Sequence, residues 1–217
     1  MVEWKTEQRP LPYETALAGM EKRVNDIYAD KNKEMVWLLE HPPIYTAGTS
    51  AQESDLIDPK FDVYITGRGG QYTYHGPGQR IAYVLLNLKK RQKEPDIKKY
   101  VFDLEEWIIK SLAEFDIQGF RRDGRVGIWV NTDQGEEKIA AVGVRVRHWV
   151  TYHGISINVN PDLSHYDGIV PCGISEYGVT SMSKILGKPV KMSDLDTILE
   201  EKWVEVFGDA KPYKLAA

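Results

Sequence analysis

Apolar residues recur at intervals of three and four in three stretches of the chain, with charged residues between them. Such spacing places the apolar side chains on one face of a helix. The pattern therefore predicts amphipathic helices over residues 13–27, 97–115 and 193–207. Their apolar faces consist of Ala16, Leu17, Met20, Val24 and Ile27, of Ile97, Tyr100, Val101, Leu104, Ile108, Leu112 and Phe115, and of Leu195, Ile198, Leu199, Trp203 and Val206.

Residues typical of helix ends flank two of these stretches. Asp96 precedes the second helix and predicts its N-terminal cap, because a carboxylate there accepts bonds from unpaired backbone N–H groups. Ser193, with Asp196 three residues later, predicts a capped start for the third helix. Gly208 predicts the end of that helix, since glycine readily adopts the left-handed conformation that closes a helix.

Short apolar runs between turn residues predict β-strands. Residues 35–39 form a run too short for a helix, and Pro42 and Pro43 follow directly behind it. Later runs are separated by turn residues and show alternating polarity in part. Strands are expected over residues 35–39, 63–66, 81–88, 127–130, 138–148 and 151–159.

Helices and strands mix along the chain without strict β-α-β order, and the sequence contains no internal repeat. This arrangement favours an α/β fold of the α+β type, a mixed β-sheet with flanking helices. The length of 217 residues and the absence of a long polar linker predict one domain over residues 1–217.

Composition and charge narrow the function. A net charge of −4 argues against binding of nucleic acid, and no apolar run approaches the ~20 residues that span a bilayer. The N-terminus lacks the apolar core of a signal peptide, and a single cysteine fits a reducing compartment, so we expect a cytoplasmic protein. Two basic clusters are candidate docking sites for an acidic partner or ordinary solvated faces: Arg121, Arg122 and Arg125, and Arg145, Arg147 and His148.

Cys172 is the one cysteine in the chain, so neither an internal disulfide nor a cysteine-based metal cage is available. A free cysteine commonly serves as a small buried hydrophobe. Here Pro171 fixes the backbone before it, and Gly173 allows a sharp turn after it and an N–H open to an oxyanion. This context favours a presented, nucleophilic thiol, with packing as the alternative.

Residues 67–79 contain five glycines, which allow the backbone to approach a ligand closely. Arg68 and His75 add polar groups within the same stretch. Its spacing fits neither a P-loop nor a dinucleotide-binding fingerprint. We therefore interpret it as a binding segment, the alternative being a glycine-rich turn between two strands with a buried histidine.

Lys138 begins the apolar run of residues 138–144. A lysine at the start of a strand is usually only solvated. Beside Cys172 it would be more significant, because an ammonium group favours the thiolate and the free amine can accept and return protons. The two residues are therefore candidates for one catalytic pair.

Four motifs, by their residues, order and spacing, resemble those of the lipoyl(octanoyl) transferases. The first is Arg68-Gly69-Gly70-Gln71-Tyr72-Thr73-Tyr74-His75-Gly76-Pro77-Gly78-Gln79. The others are Lys138-Ile139-Ala140-Ala141-Val142-Gly143, Tyr152-His153-Gly154-Ile155-Ser156-Ile157-Asn158-Val159-Asn160 and Pro171-Cys172-Gly173-Ile174.

The resemblance implies the catalytic-domain fold shared by biotin and lipoate protein ligases. It implies an acyltransferase that moves an octanoyl or lipoyl group from acyl carrier protein to a lysine of lipoyl domains, those of 2-oxoacid dehydrogenases and the glycine cleavage H protein. It also implies Cys172 and Lys138 as the catalytic pair, and no metal or cofactor; a monomer is expected. Contacts with the acyl chain are implied for Arg68, Gly69, Gly70, Gln71, Tyr72, Thr73, Tyr74, His75, Ala141, Val142, Gly143, Gly154, Ile155 and Ser156.

The chemistry expected of such a pair is a two-step acyl transfer. Cys172 would attack a thioester, and Lys138 would protonate the leaving thiol and later deprotonate the incoming amine. Conversion of a thioester to an amide is downhill, so no ATP is expected. Two alternatives are an ATP-dependent lipoate or biotin ligase on the same fold, and a non-catalytic acyl or carrier-protein binding module.

Overall fold

The protein is described by a computed structural model that covers residues 2–171 and 177–208 and the main chain of residues 213–214. Its strands form one large and one small sheet. The strands are β1 (Glu3–Thr6), β2 (Met35–Leu39), β3 (Ile44–Ala47), β4 (Val63–Ile65), β5 (Tyr72–His75), β6 (Gln79–Leu85), β7 (Phe120–Arg122), β8 (Arg125–Thr132), β9 (Gly135–Arg147), β10 (Val150–Asn158), β11 (Gly178–Val179) and β12 (Tyr213–Lys214).

Helices connect and cover these strands. The α-helices are α1 (Tyr13–Tyr28), α2 (Leu88–Arg91), α3 (Ile97–Ala113), α4 (Met182–Leu186) and α5 (Met192–Phe207), and short 3₁₀ turns occupy Glu53–Asp55 and Leu163–Gly168.

The large sheet has the strand order β12-β1-β2-β6-β10-β9-β8-β7, with β11 added beside β9. Its central pairs are antiparallel, whereas β1 runs parallel to β2 and β12, and β11 runs parallel to β9. The small sheet has the order β4-β3-β5. The predicted mixed sheet with flanking helices is therefore confirmed.

Helices cover both faces of the large sheet. On one face α3 and α5 bury a tryptophan cluster, in which the rings of Trp4, Trp107 and Trp203 meet edge to face at 5.2–6.2 Å. Edge-to-face contact adds quadrupole attraction to the burial of large apolar surfaces. On the other face α1 packs Met20 and its neighbours against Trp37 and Tyr83. This second face, beside the small sheet, carries the cavity described below.

The predicted helix ends are partly correct. The Asp96 side chain accepts bonds from the backbone N–H groups of Lys98 and Lys99, which confirms it as the cap of α3. Gly208 ends α5 with a left-handed φ of 70°. The capping role of Ser193 and Asp196 is wrong: α5 begins at Met192 without a side-chain cap, and Asp196 forms a buried ion pair with Arg80 at 2.8 Å instead.

The strand predictions differ from the structure at several places. The expected strand over residues 81–88 ends at Leu85, because Leu88 starts the short helix α2. The glycine-rich segment contains a strand of its own, β5, where a turn was the alternative. β1 was not predicted, since its four residues include only one buried side chain, Trp4.

Candidate functional site

A cavity of about 230 Å³ lies between the α1-covered face of the large sheet and the small sheet. Strands β6, β9 and β10 form its floor, and the glycine-rich segment and α1 form its walls. It is lined by Tyr13, Thr46, Ser50, Arg68, Gly69, Gly70, Gln71, Thr73, His75, Ile81, Tyr83, Gly124, Arg125, Val126, Lys138, Ala141, Val142, Gly143, His153, Gly154, Ile155 and Ser156. The segments that the sequence motifs single out thus meet around one space.

Lys138 occupies one end of this cavity. It lies inside β9 rather than at the start of a strand, and only 6% of it is exposed, so the prediction of a strand-mouth position is wrong. Its Nζ donates to the backbone oxygen of Val126 at 3.1 Å and lies 4.8 Å from the centre of the Trp129 ring. The amine is held by one carbonyl and one aromatic face.

The polar residues before Lys138 explain why β9 starts earlier than expected. Glu136 accepts bonds from Arg122 and Arg125, each at 2.8 Å, and Glu137 pairs with Lys184 at 3.0 Å. Because these partners neutralise the carboxylates of Glu136 and Glu137, both charged residues can belong to β9 and extend it toward its N-terminal end. The two residues directly before Lys138 are thereby anchored.

Glycines shape the floor of the cavity where β9 meets β10. Gly143 and Gly154 face each other across the ladder. A β-carbon on Gly154 would lie 2.2 Å from the backbone oxygen of Ala82, and one on Gly143 would lie 3.0 Å from Cδ of Arg68. Both positions therefore require glycine for close approach.

Arg68 holds the wall opposite this floor. Its Nη2 donates to the backbone oxygen and the hydroxyl of Thr46 at 2.8 and 2.7 Å and to the backbone oxygen of Gln71 at 3.0 Å. Its Nη1 donates to the backbone oxygen of Gly69 at 3.0 Å. The guanidinium ties the glycine-rich loop to β3, which keeps the loop folded over the cavity.

Side chains of β5 alternate between the cavity and the interior of the small sheet. Gln71, Thr73 and His75 line the cavity. Tyr72 and Tyr74 lie on the other face of the strand and pack in a cluster with Tyr45 and Tyr166, where ring contacts bury them. Tyr72 and Tyr74, for which the resemblance implies acyl contacts, therefore lie away from this cavity, because successive side chains of a strand point to opposite faces.

A group of histidines and tyrosines forms the end of the cavity away from Lys138. Val126, which binds Lys138, lies on β8, whereas Tyr83 lies on β6, three strand positions away. At ~4.8 Å for each spacing, the two ends are roughly 14 Å apart. Ring contacts of 5.6–6.0 Å connect the members of this end, namely Tyr13 to His41, His41 to His75, His41 to Tyr83, and Tyr83 to His153.

We call this group, Tyr13, His41, His75, Tyr83 and His153, the distal cluster. Burial lowers the pKa of His41 to about 4 and the pKa values of His75 and His153 to about 3. Burial also raises the pKa of Tyr13 to about 12. The distal cluster is therefore uncharged at neutral pH.

His153 has an unusual backbone within β10. Its φ of 59° lies in the left-handed region, which histidine, asparagine and aspartate tolerate better than most residues. The His153 ring lies 5.8 Å from the Tyr83 ring. Strain of this kind often marks a functional position.

Cys172 lies outside the described residues, so its position relative to Lys138 is still a prediction. The residue before it, Pro171, lines a small cavity together with Lys138, Thr73 and Ser156. After the gap, Val179 on β11 pairs directly with Lys138. The chain thus lies beside Lys138 on both sides of the segment that contains the cysteine.

Sequence reasoning missed several residues that line the cavity, notably Tyr13, Thr46, Tyr83 and His153. Tyr13 and Tyr83 lie in apolar patterns typical of a packed core, which hid them. His153 stands inside a quoted motif, directly before Gly154. A histidine beside a glycine within a strand was the one available signal.

Two further predictions concern charge and metals. Arg121 and Arg122 pair with Glu105, Glu106 and Glu136, so this basic cluster is neutralised. The cluster at Arg145, Arg147 and His148 is exposed, and it stays a candidate docking site or an ordinary solvated face. Across residues 2–171 and 177–208, no three histidine, cysteine, aspartate or glutamate side chains are arranged so that they could hold a metal ion. The helices within that range also lack the length and apolar content needed to cross a bilayer.

Comparison with known proteins places the chain among enzymes of lipoylation. The family model of the lipoyl protein ligase A/B catalytic domain matches residues 12–204. An octanoyltransferase of Paramagnetospirillum magneticum is 60% identical over 209 residues, which cover 95% of this chain and 97% of the relative. An octanoyltransferase of a Chelativorans species is 56% identical over 97% of this chain and 89% of the relative.

Solved structures confirm the expected fold. A bipartite lipoate protein ligase from Thermoplasma acidophilum superimposes with a TM-score of 0.72 at 14% identity, covering 100% of this chain and 88% of that chain. Biotin protein ligase from Aquifex aeolicus, in complex with biotin and ATP, superimposes with a TM-score of 0.56 at 14% identity, covering 97% of this chain and 71% of that chain. The resemblance seen in the four motifs, and the prediction of an acyltransferase, are confirmed by the relatives. The chain belongs to the lipoyl protein ligase A/B catalytic-domain family and, within it, to the octanoyltransferases.

Proposed function

We propose that this protein transfers an octanoyl group from acyl carrier protein to a lysine of lipoyl domains, by way of a thioester on Cys172. The observation that carries the proposal is the position of Lys138, a buried amine at one end of a glycine-floored cavity beside Pro171. The names of the relatives support octanoyl as the group transferred.

Two acyl transfers complete the reaction. The Cys172 thiolate, beside a protonated Lys138, attacks the carbonyl of the carrier thioester, the carbon–sulfur bond to the carrier arm breaks, and Lys138 gives its proton to the leaving thiolate of the carrier. The amine of the acceptor lysine then attacks the Cys172 thioester, the amide bond forms, and the carbon–sulfur bond to Cys172 breaks, which releases the Cys172 thiolate. Lys138 takes the proton released by that amine, which restores the free cysteine and the protonated lysine.

The cavity suits an apolar acyl chain. Its volume of about 230 Å³ is lined by the side chains of Ala141 and Ile81 and by the main chain at the two facing glycines. Burial of the chain at ~0.8 kcal/mol per methylene contributes roughly 5 kcal/mol to binding. Chain length is thus a natural basis for selectivity.

The first experiment detects the acyl-enzyme. The protein is incubated with octanoyl carrier protein without an acceptor, digested, and analysed by mass spectrometry. We expect one added octanoyl group on the peptide that contains Cys172, and none in Cys172→Ser. An unmodified Cys172 in a protein that still transfers octanoyl would overturn the thioester route.

The second experiment tests the proton role of Lys138. Lys138→Ala should lower both half-reactions by about 10²–10⁴-fold, the usual contribution of general acid–base catalysis. Lys22→Ala is the matched control, because Lys22 is an exposed lysine on α1 that pairs with Asp26 and is not among the residues that line the cavity. Equal rates in wild type and Lys138→Ala would remove this lysine from the mechanism.

An ATP-dependent ligase is the alternative on the same fold, since such ligases share it. It would activate free octanoate as an adenylate and would not need the thiol. Octanoylation of a lipoyl domain by Cys172→Ser with free octanoate and ATP would favour this alternative. Tight carrier binding without turnover in the wild type would instead indicate a binding module.

A further inference from the structure

Two buried polar atoms of the distal cluster have no hydrogen-bond partner among the described residues, the hydroxyl of Tyr13 and Nε2 of His153. Both side chains line the cavity, and each residue is only 3% exposed. A buried donor or acceptor without a partner is costly, and native structures leave few of them. Such atoms on a cavity wall indicate that the missing partner belongs to a ligand.

Four other polar atoms of the distal cluster form hydrogen bonds. His41 bonds through Nε2 to the Tyr83 hydroxyl at 2.7 Å and through Nδ1 to the backbone oxygen of Leu11 at 2.6 Å. His75 bonds through Nδ1 to Gln79 at 2.6 Å. These bonds hold the rings of the distal cluster in place around Tyr13 and His153.

The two unpartnered atoms suit an uncharged polar group. Tyr13 and His153 are both neutral at neutral pH, because burial disfavours their charged forms. A tyrosine hydroxyl donates and accepts, and a neutral imidazole Nε2 does one or the other according to its tautomer. An alcohol matches either tautomer, since it also donates and accepts.

We infer that the distal cluster is a hydrogen-bonding subsite for an uncharged polar group at the ω carbon of a medium-chain acyl substrate, such as a terminal hydroxyl. The inference rests on the proposed function, which places the acyl carbonyl at the Lys138 end. An extended chain from that end leads across β9 and β10 toward Tyr13 and His153, over the roughly 14 Å between the two ends. The enzyme is then an acyltransferase for ω-hydroxyacyl as well as simple acyl thioesters.

The test is a competition between two donors in one reaction. Equal amounts of octanoyl and 8-hydroxyoctanoyl carrier protein are supplied with a lipoyl domain, and mass spectrometry gives the ratio of the two products. We expect a wild-type ratio within about tenfold of unity, whereas a purely apolar end disfavours an added hydroxyl by roughly 10²-fold.

Variants assign the effect to the two atoms. Tyr13→Phe removes only the hydroxyl, and His153→Asn keeps a residue that tolerates the left-handed backbone while withdrawing Nε2. Each should lower the hydroxyoctanoyl-to-octanoyl ratio by about tenfold, the effect of one lost hydrogen bond. Tyr28→Phe, which removes a hydroxyl from an exposed tyrosine at the end of α1, should leave the ratio as it is.

Two outcomes overturn the inference: transfer of octanoyl with hydroxyoctanoyl rejected by more than a hundredfold, or an unchanged ratio in both Tyr13→Phe and His153→Asn. If neither acyl group reaches the lipoyl domain, the proposed function fails separately. The equilibrium affinities of free 8-hydroxyoctanoate and free octanoate for the same proteins then decide the inference. We expect the wild type and the variants to rank in the same order as in the competition.

Discussion

Acidification should destabilise this protein well above the pH at which its carboxylates are protonated. His41, His75 and His153 are neutral in the folded state, with pKa values lowered by burial to about 4, 3 and 3. In the unfolded chain each has an ordinary pKa of about 6.5. The unfolded state therefore binds protons first, so this stability is present above pH ~6.5 and decreases as the pH falls toward 4.

The magnitude follows from the difference in pKa. At pH 5, each unfolded histidine gains about 2 kcal/mol from protonation, at 1.36 kcal/mol per pH unit below 6.5. Protonation of three such histidines in the unfolded chain lowers the free energy of unfolding by roughly 6 kcal/mol. Asp196 acts in the opposite direction, because burial raises its pKa to about 6 and its protonation restores about 1 kcal/mol over the same interval. A net loss of about 5 kcal/mol is a large share of a typical folding free energy.

The assay is urea unfolding followed by tryptophan fluorescence at pH 7.5, 6.5, 5.5 and 5.0. The free energy of unfolding should fall across this range, and calorimetry in buffers of different ionisation enthalpy should show protons taken up on unfolding. In His153→Asn the difference between pH 7.5 and 5.0 should shrink by about 2 kcal/mol. A flat wild-type profile, or equal differences in wild type and variant, would refute the reasoning.

Two further predictions concern the walls of the cavity. Gly154→Ala should destabilise the protein by about 3 kcal/mol, because the new β-carbon would lie 2.2 Å from the Ala82 oxygen and force β6 to move. Gly69→Ala is its control for stability, since the nearest atom to that β-carbon would be 3.7 Å away, and urea midpoints that fall equally in both would count against a steric cause. Arg68→Lys should cost about 2–3 kcal/mol, because one ammonium cannot replace a guanidinium bound to Thr46, Gly69 and Gln71. Unfolding curves that overlay those of the wild type would show that the guanidinium bonds do not hold the loop.

The pattern of apolar residues predicted the long elements well, because the burial of apolar side chains determines where these elements form. The helix that begins at Tyr13 and the strand at residues 35–39 are as expected, each with a strong amphipathic or buried signature. The N-cap of α5 was missed for a tertiary reason: Asp196 lies beside Arg80, which comes from a strand over a hundred residues away in sequence. Spacing within one segment does not show such a partner.

The motifs predicted the site at positions where the main chain must approach a neighbour closely. Glycines at positions 143 and 154 signalled close approach, and both lie on the cavity floor. The alternation within β5 was not used, so Tyr72 and Tyr74 were assigned to the acyl chain although the pleat turns them away. The distal cluster remained hidden, because its histidines come from a loop and two strands that meet only in the folded protein.

The facing glycines of β9 and β10 have a consequence for how substrate range can change by mutation. At that point the floor consists of main chain only, so no side chain there can be shortened to widen the cavity. An added methyl group meets the Ala82 oxygen at one position and the Arg68 stem at the other. Variation in acyl preference must therefore arise from residues at the ends or in the walls of the cavity. The distal cluster forms one of these ends and is the place to redesign.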